Sequence, residues 1–120
     1  MGNKVLVIDD DRDICDLVRI ALEGKGMTVR SAMTGEEGIK AADDFTPDVI
    51  LLDHNLPDMF GTETAKRIKE TSAGKNVFIV LMTGSSAPEH DISPGIFSGT
   101  LRKPFKLSDL AEYVKKIMDK

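Results

Sequence analysis

Short runs of aliphatic residues recur along the chain: KVLVI at 4–8, TVRSA at 28–32, DVILL at 48–52, NVFIVLM at 76–82 and TLR at 100–102. β-Branched and aliphatic residues in runs of this length favour extended backbone, so five strands are predicted. Between most of them apolar residues return at helical spacing. Ile14, Leu17, Val18, Ala21 and Leu22 mark a first helix, with its leucines in the core and its end at Gly24, where a left-handed cap is expected. TGEE opens a second, because Thr34 and Glu37 stand at capping-box spacing. A third is predicted from about Thr62 to Thr71, after Gly61, with Ala65 and Ile68 inward. The last opens near Ser108 and gathers Leu107, Leu110, Ala111, Val114, Ile117 and Met118 on one face.

Strands that alternate with helices imply right-handed crossovers and a parallel sheet covered on both faces. Burial on both faces explains why the first, third and fourth strands are apolar almost throughout. The predicted class is therefore α/β, a doubly wound five-stranded parallel sheet. One segment departs from the alternation. GSSAPEHDISPGIFSG, residues 84–99, holds Pro88, Pro94, Gly95 and Gly99 where a further helix is due, so that helix is expected to be short or atypical.

Composition narrows the reading. At 120 residues, the stretch 1–120 is expected to be one domain, with 41% hydrophobic and 30% charged residues, enough to form a core. A net charge of −4 with both signs interspersed offers no basic face, so no direct nucleic-acid binding and no membrane contact are expected. The lone Cys15 reads as a small core residue in a reducing compartment. MGNKVLVID lacks the order of a signal peptide, which points to the cytoplasm. A terminal helix ending in KKIMDK suits both a free-standing domain and one that leads into another.

In open α/β sheets ligands bind outside the carboxyl ends of the strands, where the winding order switches. The residues directly after the strands are Asp9, Asp10 and Asp11, then Asp53, Thr83, and Lys103 with Pro104. Strand order 2-1-3-4-5 would bring the acids of the first and third strands side by side, flanked by a hydroxyl and an ammonium. Carboxylates that converge repel each other, and a divalent cation relieves them. Hard oxygen donors without a histidine or cysteine cluster favour Mg2+, which keeps water and phosphate oxygens in its shell. Phosphate is then the expected ligand. Asp53, alone at the end of the most apolar strand, is the candidate nucleophile for an acyl phosphate, with Lys103 and Thr83 addressing phosphoryl oxygens.

Taken together, VLVIDDD, DVILLDHNLPDMFG, VLMTG and LRKPF, in order and spacing over essentially the whole chain, resemble the receiver domain of bacterial two-component response regulators. The resemblance implies a flavodoxin-like three-layer sandwich and a signalling switch rather than a metabolic enzyme, with only its own phosphotransfer and slow self-dephosphorylation to catalyse. By it, Asp53 is the phosphoacceptor, Asp9 and Asp10 are metal-binding acids, Asn55 gives a backbone carbonyl to the Mg2+, and Thr83 and Lys103 sense the phosphate. The implied donor is a phosphohistidine on a sensor histidine kinase or phosphotransfer protein, and the implied output is altered binding to a downstream protein target or output domain. The bond before Pro104 is expected to be cis.

Plainer roles fall to the neighbours. Asp11 and Asp13 read as N-terminal acids of the first helix, Pro57 and Gly61 as shapers of the 53–61 turn, and His54 and His90 as solvent-facing. Two departures from the family stand out: Thr100 occupies the place of its usual aromatic residue three before the lysine, and the 84–99 segment falls where its fourth helix belongs. Two rivals stay open. A small phosphohydrolase of the haloacid dehalogenase type also uses an aspartate, a hydroxyl, a lysine and Mg2+, but DHN lacks its second aspartate and no room remains for a cap. A receiver kept only as a docking module would fail to react with a small acyl phosphate.

Overall fold

The computed structural model of the chain describes residues 3–71, 74–84 and 95–119. The elements run β1 (Lys4–Ile8), α1 (Arg12–Glu23), β2 (Thr28–Ala32), α2 (Gly35–Phe45), β3 (Val49–Asp53), α3 (Gly61–Glu70), β4 (Phe78–Thr83), β5 (Gly99–Arg102) and α4 (Leu107–Met118). All strand pairs are parallel and the order is β2-β1-β3-β4-β5. The predicted α/β class and winding are both observed. The expectation of a short or atypical helix within 84–99 concerns residues 85–94, which lie outside the described residues.

Side-chain alternation along each strand feeds two cores. Val5, Val7, Val49, Leu51, Val80 and Met82 face α1 and α4, whereas Leu6, Ile8, Ile50, Leu52 and Ile79 face α2 and α3. Both parities are apolar because both faces are covered, which is why these strands read as continuous hydrophobic runs. Cys15 is buried in the first core, as expected. Leu17 is not: it is 44% exposed, and Ile20 is 68% exposed, so only Cys15, Val18 and Leu22 of α1 turn fully inward. The apolar stripe of α1 is wider than the surface the sheet covers.

The helix ends are set locally. Asp11 caps α1, its Oδ1 accepting from the Asp13 and Ile14 amides, and Asp13 lies in the first turn. Gly24 ends α1 but stays right-handed (φ −62°, ψ −17°), and the left-handed conformation falls two residues later on Gly26 (φ 87°). The turn into β2 therefore needs its glycine at 26. Thr34 caps α2 by accepting from the Glu37 amide, and Glu37 Oε1 reaches back to the Met33 amide at 3.2 Å, one residue beyond the usual capping-box partner.

Gly61 begins α3 directly against the end of β3. A Cβ there would lie 2.5 Å from the Asp53 carbonyl oxygen and 3.0 Å from His54 Cα, both backbone atoms that cannot rotate away. The Gly61 amide donates to the His54 carbonyl at 2.6 Å, closing the loop on itself. Gly61→Ala is expected to lose about 1–3 kcal/mol through overpacking, read as a lower urea midpoint at unchanged slope. An unchanged midpoint would show that the loop yields without cost.

Candidate functional site

The carboxyl ends of β1, β3, β4 and β5 lie on one edge of the sheet because every strand is parallel. Register then decides which side chains meet. Asp53 pairs with Met82, so Thr83 stands one residue beyond it on the neighbouring strand, and Thr83 pairs with Arg102, which puts Lys103 at the end of β5. The Lys103 amide donates to the Thr83 carbonyl at 2.8 Å and extends the ladder by one bond. The Lys103–Pro104 peptide is cis.

Asp9, Asp10 and Asp53 each offer a carboxylate oxygen, and those oxygens all lie within 4.8 Å of one another. Asp9 is fully buried, Asp53 is 7% exposed, and Asp10 faces solvent. The Lys103 ammonium spans the group, donating to Asp9 Oδ2 at 2.8 Å and to Asp53 Oδ1 at 3.3 Å. Asp9 is held from its other side: its amide donates to the Ala32 carbonyl at 3.0 Å, and its Oδ1 accepts from the Asp11 amide at 2.9 Å. Burial, and then repulsion from Asp9, raise the Asp53 carboxyl above its ordinary range, and the Lys103 charge offsets part of this. Burial pulls Lys103 down, but its bonds to Asp9 and Asp53 outweigh that and hold it above an ordinary lysine. Both directions describe a site short of positive charge.

The fit to a hard divalent cation rests on this donor set. Among the described residues three carboxylates converge with no nitrogen or sulfur ligand, and the cation that reaches them is a lysine already shared between two of them. Asn55 sits just beyond β3, exposed, in an antiparallel bridge with Phe60 that shapes the 53–61 loop. Thr83 is 7% exposed, and among the described residues its hydroxyl has only a long contact, 3.4 Å, to the Gly84 carbonyl. Among the expected residues, Asp9, Asp10, Asp53 and Lys103 are thus brought into one cluster, with Thr83 and Asn55 at its border.

Two neighbours differ from expectation. His54 is not solvent-facing but 8% exposed, since its amide continues the β3 ladder to the Met82 carbonyl at 3.0 Å and Phe60 folds over it, ring centroids 5.5 Å apart. Its Nδ1 is buried without a partner among the described residues. His90 lies outside those residues. The Cys15 thiol donates to the Asp9 carbonyl at 3.3 Å, and burial beside Asp9, Asp16 and Asp11 pushes its pKa up to about 11, so it packs as a neutral group.

A doubly wound parallel sheet with an acid cluster, a hydroxyl and a lysine at its carboxyl edge is the architecture of a phosphoryl-handling domain. Residues 5–115 match the family model of the response regulator receiver domain, and the chain belongs to that family. It is 35% identical over 121 residues to the alkaline phosphatase synthesis transcriptional regulatory protein PhoP of Bacillus subtilis, covering 98% of this chain and 49% of that one. A CheY-like receiver domain protein from Methanospirillum hungatei superposes with a TM-score of 0.89 at 29% identity, covering 99% and 95% of the two chains. TrrA of Thermotoga maritima, solved in complex with Mg2+-BeF, superposes with a TM-score of 0.84 at 30% identity, covering 96% and 98%. The chain spans about half the length of PhoP and a fifth of another curated relative, a regulator of Haloferax volcanii. Among the described residues no helix is long and apolar enough to cross a membrane.

Because the folded state holds the Asp53 proton more tightly than the unfolded chain, stability falls as pH rises from the ordinary aspartate range through the raised folded value. The loss is complete once the pH exceeds that raised folded value. Asp53→Asn is therefore expected to stabilise the metal-free protein at about pH 7 by on the order of 1 kcal/mol. The gain should vanish below about pH 3.5, where the carboxyl is protonated in both states. Urea unfolding at the two pH values decides it: a gain no larger at the higher pH would mean that burial does not disfavour the Asp53 charge.

Proposed function

We propose that this domain accepts a phosphoryl group on Asp53 from the phosphohistidine of a sensor histidine kinase or phosphotransfer protein, and that the acyl phosphate alters its binding to a protein partner. The observation that carries the reading is the bridge from Lys103 to both Asp53 and Asp9 within a three-carboxylate cluster. Such a site is poised for added positive charge and for a phosphoryl group that brings more oxygens to share it.

Asp9, Asp10, Asp53 and the backbone carbonyl of Asn55 are the residues that would hold Mg2+. When bound, the ion would offset charge on the transferring group and on the acceptor carboxylate. An Asp53 oxygen attacks phosphorus as the P–N bond of the phosphohistidine breaks. The bonding pair returns to the imidazole nitrogen, and the ring leaves neutral because its other nitrogen already carries a proton. Among the described residues Lys103 reaches Asp53 at Oδ1 and no donor reaches Oδ2, which leaves that oxygen as the nucleophile. Lys103 then pairs with a phosphoryl oxygen, and the Thr83 hydroxyl donates to another. Slow self-dephosphorylation follows from the same site, since water can attack the acyl phosphate in line. The reading puts the domain in the cytoplasm, with no nucleic-acid contact of its own. DNA binding is named for relatives such as MtrA, of which this chain spans about half.

Incubation with acetyl phosphate and Mg2+ is expected to add one phosphoryl group, seen by mass spectrometry as a hydroxylamine-labile adduct. EDTA and Asp53→Asn should each prevent it. A stable adduct on a serine or histidine would overturn the assignment, and sustained turnover of p-nitrophenyl phosphate would favour the hydrolase. Lys103→Ala is expected to keep the fold, to slow phosphorylation by about a hundredfold, and to uncouple it from partner binding. A variant that still switched fully would remove Lys103 from the sensing role.

A further inference from the structure

The first turn of α2 is capped from two places. Thr34 supplies the Glu37 amide from its side chain and the Gly38 amide from its carbonyl, which leaves the Gly35 and Glu36 amides without a partner in their own helix. Asp58, more than twenty residues away in sequence, takes both: Oδ1 accepts from the Gly35 amide at 2.8 Å and Oδ2 from the Glu36 amide at 2.9 Å. Two acceptor oxygens face two donors, an arrangement that asparagine cannot reproduce. Gly35 allows the approach, since a Cβ there would lie 2.5 Å from Met59 Cγ and 2.9 Å from the Thr64 hydroxyl.

Asp58 lies at the outer point of the loop that carries Asp53 and Asn55. That loop is closed at its base by the Gly61–His54 bond and the Asn55–Phe60 bridge, and Leu56 is buried beneath it. The stretch just before α2 is tied to the acid cluster from the other side, because the Ala32 carbonyl accepts the Asp9 amide. A continuous path therefore runs from Asp9 through residues 32–36 to Asp58 and back along the loop to Asn55 and Asp53. We propose that Asp58 is a positioning residue of the phosphoacceptor site: by clamping the 53–61 loop to the first turn of α2 it fixes Asn55 and Asp53 relative to Asp9 and Asp10. The proposal rests on the reading of that site as one that binds Mg2+ and accepts phosphate.

The test uses the full chain and Mg2+ alone as the first probe, by amide chemical-shift titration, with phosphorylation by acetyl phosphate as the second. Asp58→Ala and Asp58→Asn should both keep the fold, weaken Mg2+ binding by about tenfold, the lower end for a residue that orients metal ligands, and slow phosphorylation in step at limiting Mg2+. Arg67→Ala removes a different tie of α2, the 3.2 Å contact to Glu36, and should leave both readouts unchanged. Wild-type Mg2+ affinity in both Asp58 variants would overturn the proposal. So would an equal loss in Arg67→Ala, which would mean that any loosening of α2 suffices. Failure of the unaltered chain to bind Mg2+ would overturn the underlying reading as well, whereas normal behaviour of the unaltered chain with unaffected Asp58 variants would overturn this inference alone.

Discussion

The arrangement at the carboxyl edge of the sheet depends on one electrostatic constraint: two aspartates at the ends of adjacent buried strands, Asp9 and Asp53, share a single ammonium. Taking a carboxylate out of water is costly, and taking two out together costs more unless a cation comes with them. Lys103 meets that need only because β5 ends beside β4, and β4 beside β3, so that a residue far along the chain reaches the tip of the first strand. The parallel topology is therefore a condition of the charge arrangement. In an antiparallel sheet the same residues would be divided between opposite edges.

The constraint also explains how tightly the surroundings are built. Asp9 is fixed by backbone on both sides, Gly61 is packed onto the Asp53 carbonyl, and the loop between them is closed by a short hydrogen bond. Rigid packing keeps the carboxylates together against their repulsion, a strain that the fold can hold because its two cores are large and continuous. Cys15 belongs to that packing, its thiol on the Asp9 carbonyl and too weakly acidic to add a further charge.

The strands and their order were readable because the signal was local and periodic: aliphatic runs, capped helices and acids at strand ends each reflect a rule that acts within a few residues. Thr34 and Asp11 cap as their spacing requires. What escaped was decided at a distance. His54 reads as polar and outward, but Phe60 covers it, a contact set by the loop rather than by either residue. Leu17 fits a helical stripe, yet it stays 44% exposed while Cys15, Val18 and Leu22 take the inward face. Gly24 carries the usual sign of a helix end, while the turn placed its left-handed residue at Gly26. Asp58 carried no signal of its own, and nothing nearby in sequence could reveal that its partners are the first amides of α2. The acid–hydroxyl–lysine set was legible for the opposite reason: its members each end a strand or directly follow one, so the topology alone brings them to one edge.

The same logic bears on how a change at Asp53 would travel. Lys103 is the only side chain that touches both buried aspartates among the described residues, and its own backbone is bonded to Thr83 on β4. On the proposed reading, a phosphoryl group would compete with Asp9 for the ammonium, so one route for a response runs through Lys103 into β5. There Thr100 is small and exposed, and Tyr113 of α4 packs over the neighbouring Gly99, filling the space a Cβ would need. Displacement of β5 would thus be felt by α4 through the Gly99–Tyr113 contact, a coupling of strand to helix rather than the turning of a single side chain.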